Sequence, residues 1–99
     1  MDFNLNKLNK VFDNRIRVGI MSALVMNEEI SFKDLKDFLD LTDGNLASHL
    51  KNLEENDYIT VHKGFIGRKT NTTYSITALG KQAFQEHLNY LEKIINKIK

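Results

Sequence analysis

The hydrophobic period of this chain changes from helical to alternating and back again, and few folds accommodate that order. Leu5, Leu8 and Phe12 recur at helical spacing over about residues 4–12. Asp13 or Asn14 can then cap a second helix, about 15–26, with Ile16, Ile20, Met21 and Leu24 on one face. Asn27-Glu28-Glu29 breaks it, and Ile30 has room for a very short strand. Ser31, three residues before Asp34, resembles a capping box for a helix over 32–39 that buries Phe32, Leu35, Phe38 and Leu39. After a tight turn at Asp40-Leu41, Thr42 caps a helix over 43–56 whose inner stripe is Leu46, Leu50 and Leu53. Beyond Asn56-Asp57 the period drops to two: Tyr58–His62 alternates, Gly64 and Gly67 bracket a turn, and Thr72–Ile76 alternates again. Thr77 caps a final helix running nearly to the C-terminus. The expected order is α-α-(β)-α-α-β-β-α, a mainly α (α+β) chain with one small β-hairpin.

At 99 residues the chain suits a single domain, 1–99, read as an N-terminal helix (1–12), a central unit (13–76) and a C-terminal helix (77–99). The absence of cysteine excludes disulfides, thiolate metal sites and a thiol nucleophile. No apolar run reaches the roughly 18 residues of a membrane span, and the N-terminus lacks the apolar block of a signal peptide, so a cytoplasmic location away from membranes is expected. His49, His62 and His87 stand alone without a second ligand at i+3 or i+4, so no metal site is expected. Neither a glycine-rich phosphate loop, a nucleophile elbow nor a catalytic carboxylate pair is present; the chain reads as a non-enzyme without a cofactor.

The formal net charge of +1 conceals a segregated distribution. Residues 1–27 carry +2, residues 28–62 carry −6, and residues 63–99 carry +5. Such separation says more about partners than the sum does. The two short helices across Asp40-Leu41 also form a helix-turn-helix arrangement.

With these elements in order, the stretch Asp13–Phe84 resembles winged-helix transcriptional regulators of the MarR/ArsR-like group, and more narrowly their short stand-alone prokaryotic forms. The resemblance lies in Asn14-Arg15-Ile16-Arg17-Val18-Gly19-Ile20-Met21, in Leu41–Leu50 across the turn and the following helix, and in Leu53–Ile59. It continues in Gly67-Arg68-Lys69 and in Tyr74-Ser75-Ile76-Thr77 with Gly80. It implies a winged helix-turn-helix with a long C-terminal dimerisation helix, and a homodimeric regulator that binds sequence-specific double-stranded DNA.

The residues support that expectation independently. An α-helix fits the major groove, where base edges carry the full donor and acceptor code. Opposite the leucine stripe, the helix over 43–56 presents Gly44, Ser48, Lys51 and Asn52, with Asn45 alongside, Thr42 at its start and His49 at its edge. Any surface helix turns polar residues outward; the basic hairpin beside it favours DNA. There, Lys63, Arg68, Lys69 and Thr72 are candidates for phosphate or minor-groove contact, with no acid between residues 58 and 85. Arg15 and Arg17 are further phosphate candidates, although Arg17 could equally pair with an acid inside the domain. The acids Asp34, Asp37, Asp40 and Asp43 weaken the field near this surface, so a dimer is expected to be needed for tight binding.

The final helix offers the means. Phe84, Leu88, Leu91, Ile95 and Ile98 recur at spacings of 4, 3, 4 and 3, and Leu5, Leu8 and Phe12 are expected to join them across a two-fold axis. Two alternatives stay open: a winged helix used for protein–protein contact, and a ligand-responsive regulator with a pocket at the dimer interface.

Overall fold

The computed structural model describes residues 3–99; the expected start of the domain at residue 1 lies outside the described residues. Four α-helices surround a three-stranded antiparallel sheet: α1 (Arg15–Met26), β1 (Ile30–Ser31), α2 (Phe32–Leu39), α3 (Asp43–Glu55), β2 (Ile59–Ile66), β3 (Lys69–Ile76) and α4 (Ala78–Ile98). This is the winged-helix arrangement, mainly helical with one β-hairpin, and it carries the long final helix.

Each helix starts on a polar side chain that accepts an otherwise orphaned backbone N–H. Asn14 accepts from Ile16 and Arg17, Ser31 from Asp34, Thr42 from Asn45 and Thr77 from Gly80. The turn after α2 uses Asp40 in the left-handed region, at φ 53°, which small polar residues tolerate better than most. Strand order is β1-β3-β2. Ile30 pairs with Tyr74, which fixes the short β1 against the long hairpin.

The core gathers one face from each element: Phe12, Ile20, Met21, Leu24, Leu35, Leu46, Leu50, Leu53, Ile59, Tyr74 and Phe84. Two expectations fail here. The segment before α1 is not a helix but two 3₁₀ turns, Leu5–Lys7 and Lys10–Phe12. Asn4 and Asn9 cause this, because their side-chain oxygens accept from Asn6 N–H and Val11 N–H and divert the backbone from helical bonding. Phe38 is 70% exposed rather than buried. On a 3.6-residue helix Phe32, Leu35 and Leu39 fall within about 60° of one another, and Phe38 lies about 60° beyond them.

The N-terminal turns are tied down at Asn9. Its backbone N–H donates to His87 Nδ1 at 3.0 Å, and its Nδ2 donates to the Tyr58 hydroxyl at 2.9 Å. Phe12 fills the space between, against Tyr58, Phe84 and His87. The start of α4 sits directly on the main chain of Tyr58, where Thr77 N–H donates to the Tyr58 carbonyl at 3.0 Å. A Cβ at Gly80 would approach that carbonyl oxygen to 2.1 Å, so only glycine fits.

Gly80→Ala is therefore expected to destabilise the domain by about 1–3 kcal/mol or more, the range for overpacking a rigid contact. Gly44→Ala, where the new methyl meets nothing within 4 Å, is expected to be neutral or to stabilise by up to about 1 kcal/mol. Urea unfolding of both variants checks the contrast; equal stabilities would refute it.

Candidate nucleic-acid interface

The position of α3 is set by its leucines. Leu46, Leu50 and Leu53 are buried, and α3 packs against both α1 and β2. The opposite side is consequently in solvent: Gly44, Asn45, Ser48 and Lys51 are all exposed. Thr42 is exposed too, but its Oγ1 already accepts from Asn45 N–H, so the residue acts first as a cap.

Neither His49, expected at the edge of α3, nor Asn52, expected on its outward face, is fully exposed. His49 is half-buried, and its Nδ1 lies 3.1 Å from Arg17 Nη1. Arg17 also donates from Nε to the Val11 carbonyl at 2.6 Å. This arginine thus ties α1, α3 and the N-terminal segment together through a carbonyl and an imidazole, not through an acid. Asn52 is half-buried, with its Oδ1 buried and unpaired, while its carbonyl accepts both N–H groups offered by Asn56. It belongs to the flank of α3 rather than to the outward face.

The acids near α3 are partly neutralised. Lys36 Nζ meets Asp43 Oδ1 at 2.8 Å, which links α2 to the first turn of α3. This hydrogen bond and charge hold the Lys36 ammonium above its ordinary pKa. The Lys-x₆-Asp spacing across the turn carried that signal in the sequence.

The hairpin is longer and tighter than its sequence suggested. β2 and β3 pair without interruption from Ile59↔Ile76 to Ile66↔Lys69, leaving only Gly67 and Arg68 in the turn. Gly67 has φ 62°, as a tight hairpin requires at its first central position. Gly64 lies within the ladder opposite Asn71 instead of bracketing the turn. Lys63 is exposed opposite the half-buried Thr72, Arg68 is at the tip, and Lys69 opens β3. Sequence reasoning overlooked Phe65 and Ile66, both strongly exposed beside these cations.

The residues expected at a dimer face divide into two groups. Phe12 and Phe84 are buried in the chain's own core and cannot serve as free interface. Leu8 and Leu91 are half-buried, and Leu5, Leu88, Ile95 and Ile98 are exposed. Between the N-terminal turns and α4 lies an open cleft of about 840 Å³, bordered by Leu5, Leu8, His87 and Tyr90. Tyr90 closes one end by accepting from Asn4 N–H at 2.8 Å. Among the described residues no helix is long and apolar enough to cross a membrane, and no cluster of three or more His, Asp or Glu could hold a metal ion.

Residues 16–95 match the winged helix DNA-binding domain family, and the chain belongs to that family. It is 40% identical over 86 residues to an uncharacterized protein of Methanocaldococcus jannaschii, covering 87% of this chain and 90% of that one. A transcriptional regulator homologue from Pyrococcus horikoshii OT3 superposes with a TM-score of 0.80 at 29% identity, covering 96% of this chain and 99% of the other. Bacillus subtilis PadR, solved in complex with operator DNA, shares the fold with a TM-score of 0.68 at 21% identity, over 76% of this chain and 47% of PadR. The family is one of DNA-binding domains, and the two solved neighbours are a transcriptional regulator homologue and a protein bound to operator DNA, not enzymes. They define a broader class than the MarR/ArsR-like group that the motifs suggested.

Burial holds the His49 imidazole below its ordinary pKa, and Arg17 adds to the effect. Burial does the same at His87, against a smaller opposing pull from Asp13. The unfolded chain therefore binds these protons first as pH falls, so stability is full above about pH 6.5 and declines below it. The urea midpoint is expected to drop between about pH 7.5 and 5.5, and His49→Gln with His87→Gln should flatten that decline. An unchanged slope in the double variant would contradict this assignment.

Proposed function

We propose that this protein is a homodimeric, sequence-specific regulator that binds double-stranded DNA, with α3 in the major groove and the hairpin as a basic wing on the backbone or minor groove. One observation carries the reading: the outward polar face of α3 and the cationic hairpin are held by one rigid packing unit, since α3 packs against the strand that leads into the wing. Gly44, Asn45, Ser48 and Lys51 are the base- and phosphate-facing candidates on α3. Lys63, Arg68, Lys69 and Thr72 fill the phosphate role on the wing. His49 contributes indirectly, by fixing α3 to Arg17.

The unpartnered half of α4 supports dimerisation. The exposed or half-buried Leu88, Leu91, Ile95 and Ile98 extend past the last core contact at His87. Covering this stripe with a second copy removes apolar surface from water. The two recognition helices would then read half-sites about one DNA turn, ~34 Å, apart on a near-palindrome. Such a regulator acts in the cytoplasm of a prokaryotic cell, where its DNA lies. The alternative of a protein-binding winged helix draws on the acids of residues 28–62 and on the exposed Phe38; salt dependence separates the two.

Affinity for a duplex selected from genomic fragments is expected to fall steeply with salt, as counterion release requires. Because a homodimer loses the cation from both wings, Arg68→Ala and Lys69→Ala should each reduce the slope of log affinity against log salt by about 2. No binding at low salt, or binding indifferent to salt and to both changes, would refute the proposal. Ile95→Glu with Leu88→Glu is expected to yield a folded monomer by light scattering, with weaker DNA binding. A dimer persisting in that variant would move the interface elsewhere.

A further inference from the structure

We propose that Phe65 and Ile66 form an apolar wedge at the wing tip that enters the minor groove, partly unstacks a base step and bends the DNA. This rests on the DNA-binding reading above and adds to it a second binding element that charge alone does not supply.

The register shows how the wedge arises. Along β2 the face that turns Ile59 and Val61 toward the core continues through Lys63 to Phe65. The hairpin outruns the core, so Phe65 keeps the inward position but has nothing to pack on and is 74% exposed. Ile66, on the other face, is 69% exposed and pairs with Lys69. Two large apolar side chains thus end the strand that leads into a turn of only two residues, one on each face of the ribbon. A hairpin tip needs only polar residues to stay in solution, and Thr70, Asn71 and Thr73 on the facing strand meet that need.

The surrounding charge selects the partner. Arg68 and Lys69 follow after Gly67, Lys63 is two residues before Phe65, and no acid occurs between residues 58 and 85. A cationic collar around an apolar point is complementary to a groove walled by phosphates and floored by base edges. Paired strands lie about 4.8 Å apart before side chains are added, whereas the minor groove of B-DNA is about 6 Å wide. Entry of this tip therefore requires the groove to widen. Apolar side chains inserted between base steps do this by kinking the duplex toward the major groove. Pyrimidine–purine steps unstack most readily, so the wing would favour TA or CA/TG at the positions it reaches.

The test uses the full chain and a duplex that it selects from a random library, end-labelled for energy transfer and carrying 2-aminopurine at the wing-facing step. Wild type is expected to shorten the end-to-end distance and raise 2-aminopurine fluorescence. Phe65→Ser with Ile66→Thr should keep its helical circular dichroism, its dimer and its salt slope. It should lose both optical signals and bind roughly tenfold more weakly. A double variant that bends and unstacks the duplex like wild type overturns the wedge while leaving DNA binding intact. A double variant that changes oligomeric state assigns the tip to a second copy and overturns it as well. Failure of wild type to bind any duplex at low salt removes the DNA-binding reading itself, and the wedge with it.

Discussion

The seating of α3 through Leu46, Leu50 and Leu53 governs the functional surface. Each side chain is almost wholly withdrawn from water, worth about 1.5–3 kcal/mol apiece, and together they allow one rotation of the helix about its axis. That rotation turns Ser48 and Lys51 outward and leaves His49 at the edge, within reach of Arg17. A turn of the helix by one residue would bury polar groups and expose leucine. The polar face is thus a consequence of the apolar one. Caps at both neighbouring helix starts, and the Lys36–Asp43 pair across the turn, keep α2 and α3 in fixed relation.

A second centre, around Phe12, attaches α4 to this unit. Tyr58 supplies its carbonyl to Thr77 and its hydroxyl to Asn9, so the start of β2, the N-terminal turns and α4 converge on one residue. Gly80 permits that convergence by leaving space for the Tyr58 main chain. Past His87 the helix leaves the core, and its apolar stripe faces outward. The hairpin behaves likewise at the other extension of the fold. Its base is held by Ile59, Val61 and Tyr74, and its tip carries only exposed side chains. Rigid attachment with free ends suits the proposed regulator, with the wing offered to DNA and α4 to a second copy.

The fold was largely legible in the sequence, because periodicity, caps and turn residues agreed with one another. Asp13-Asn14, Ser31, Thr42 and Thr77 marked the helix starts, with Asn14 the cap of the first pair, and Ile30 marked the short strand. Where reading failed, a long-range or competing interaction decided the outcome. The asparagines at 4 and 9 bend the backbone locally, which overrode the leucine spacing of the first segment. Phe12 and Phe84 fitted a heptad stripe, yet the nearest apolar partners were within the chain. The bond between Arg17 and His49 spans 32 positions and has no local signature. Glycine at 64 suggests a turn and so a shorter hairpin, whereas cross-strand pairing with Asn71 absorbs it. At the candidate site, the outward residues of α3 and the wing cations followed from helical geometry and charge. Asn52 and His49 did not, because both lie where a helical wheel cannot distinguish flank from face.

Amide chemical-shift mapping of the isotope-labelled protein against a selected duplex tests the central claim most directly. Perturbations concentrated at Gly44–Lys51 and Lys63–Lys69, with Phe32–Asp37 unmoved, are the predicted result. Shifts confined to the acidic α2 face, or none on α3 and the wing at saturating duplex, would contradict it.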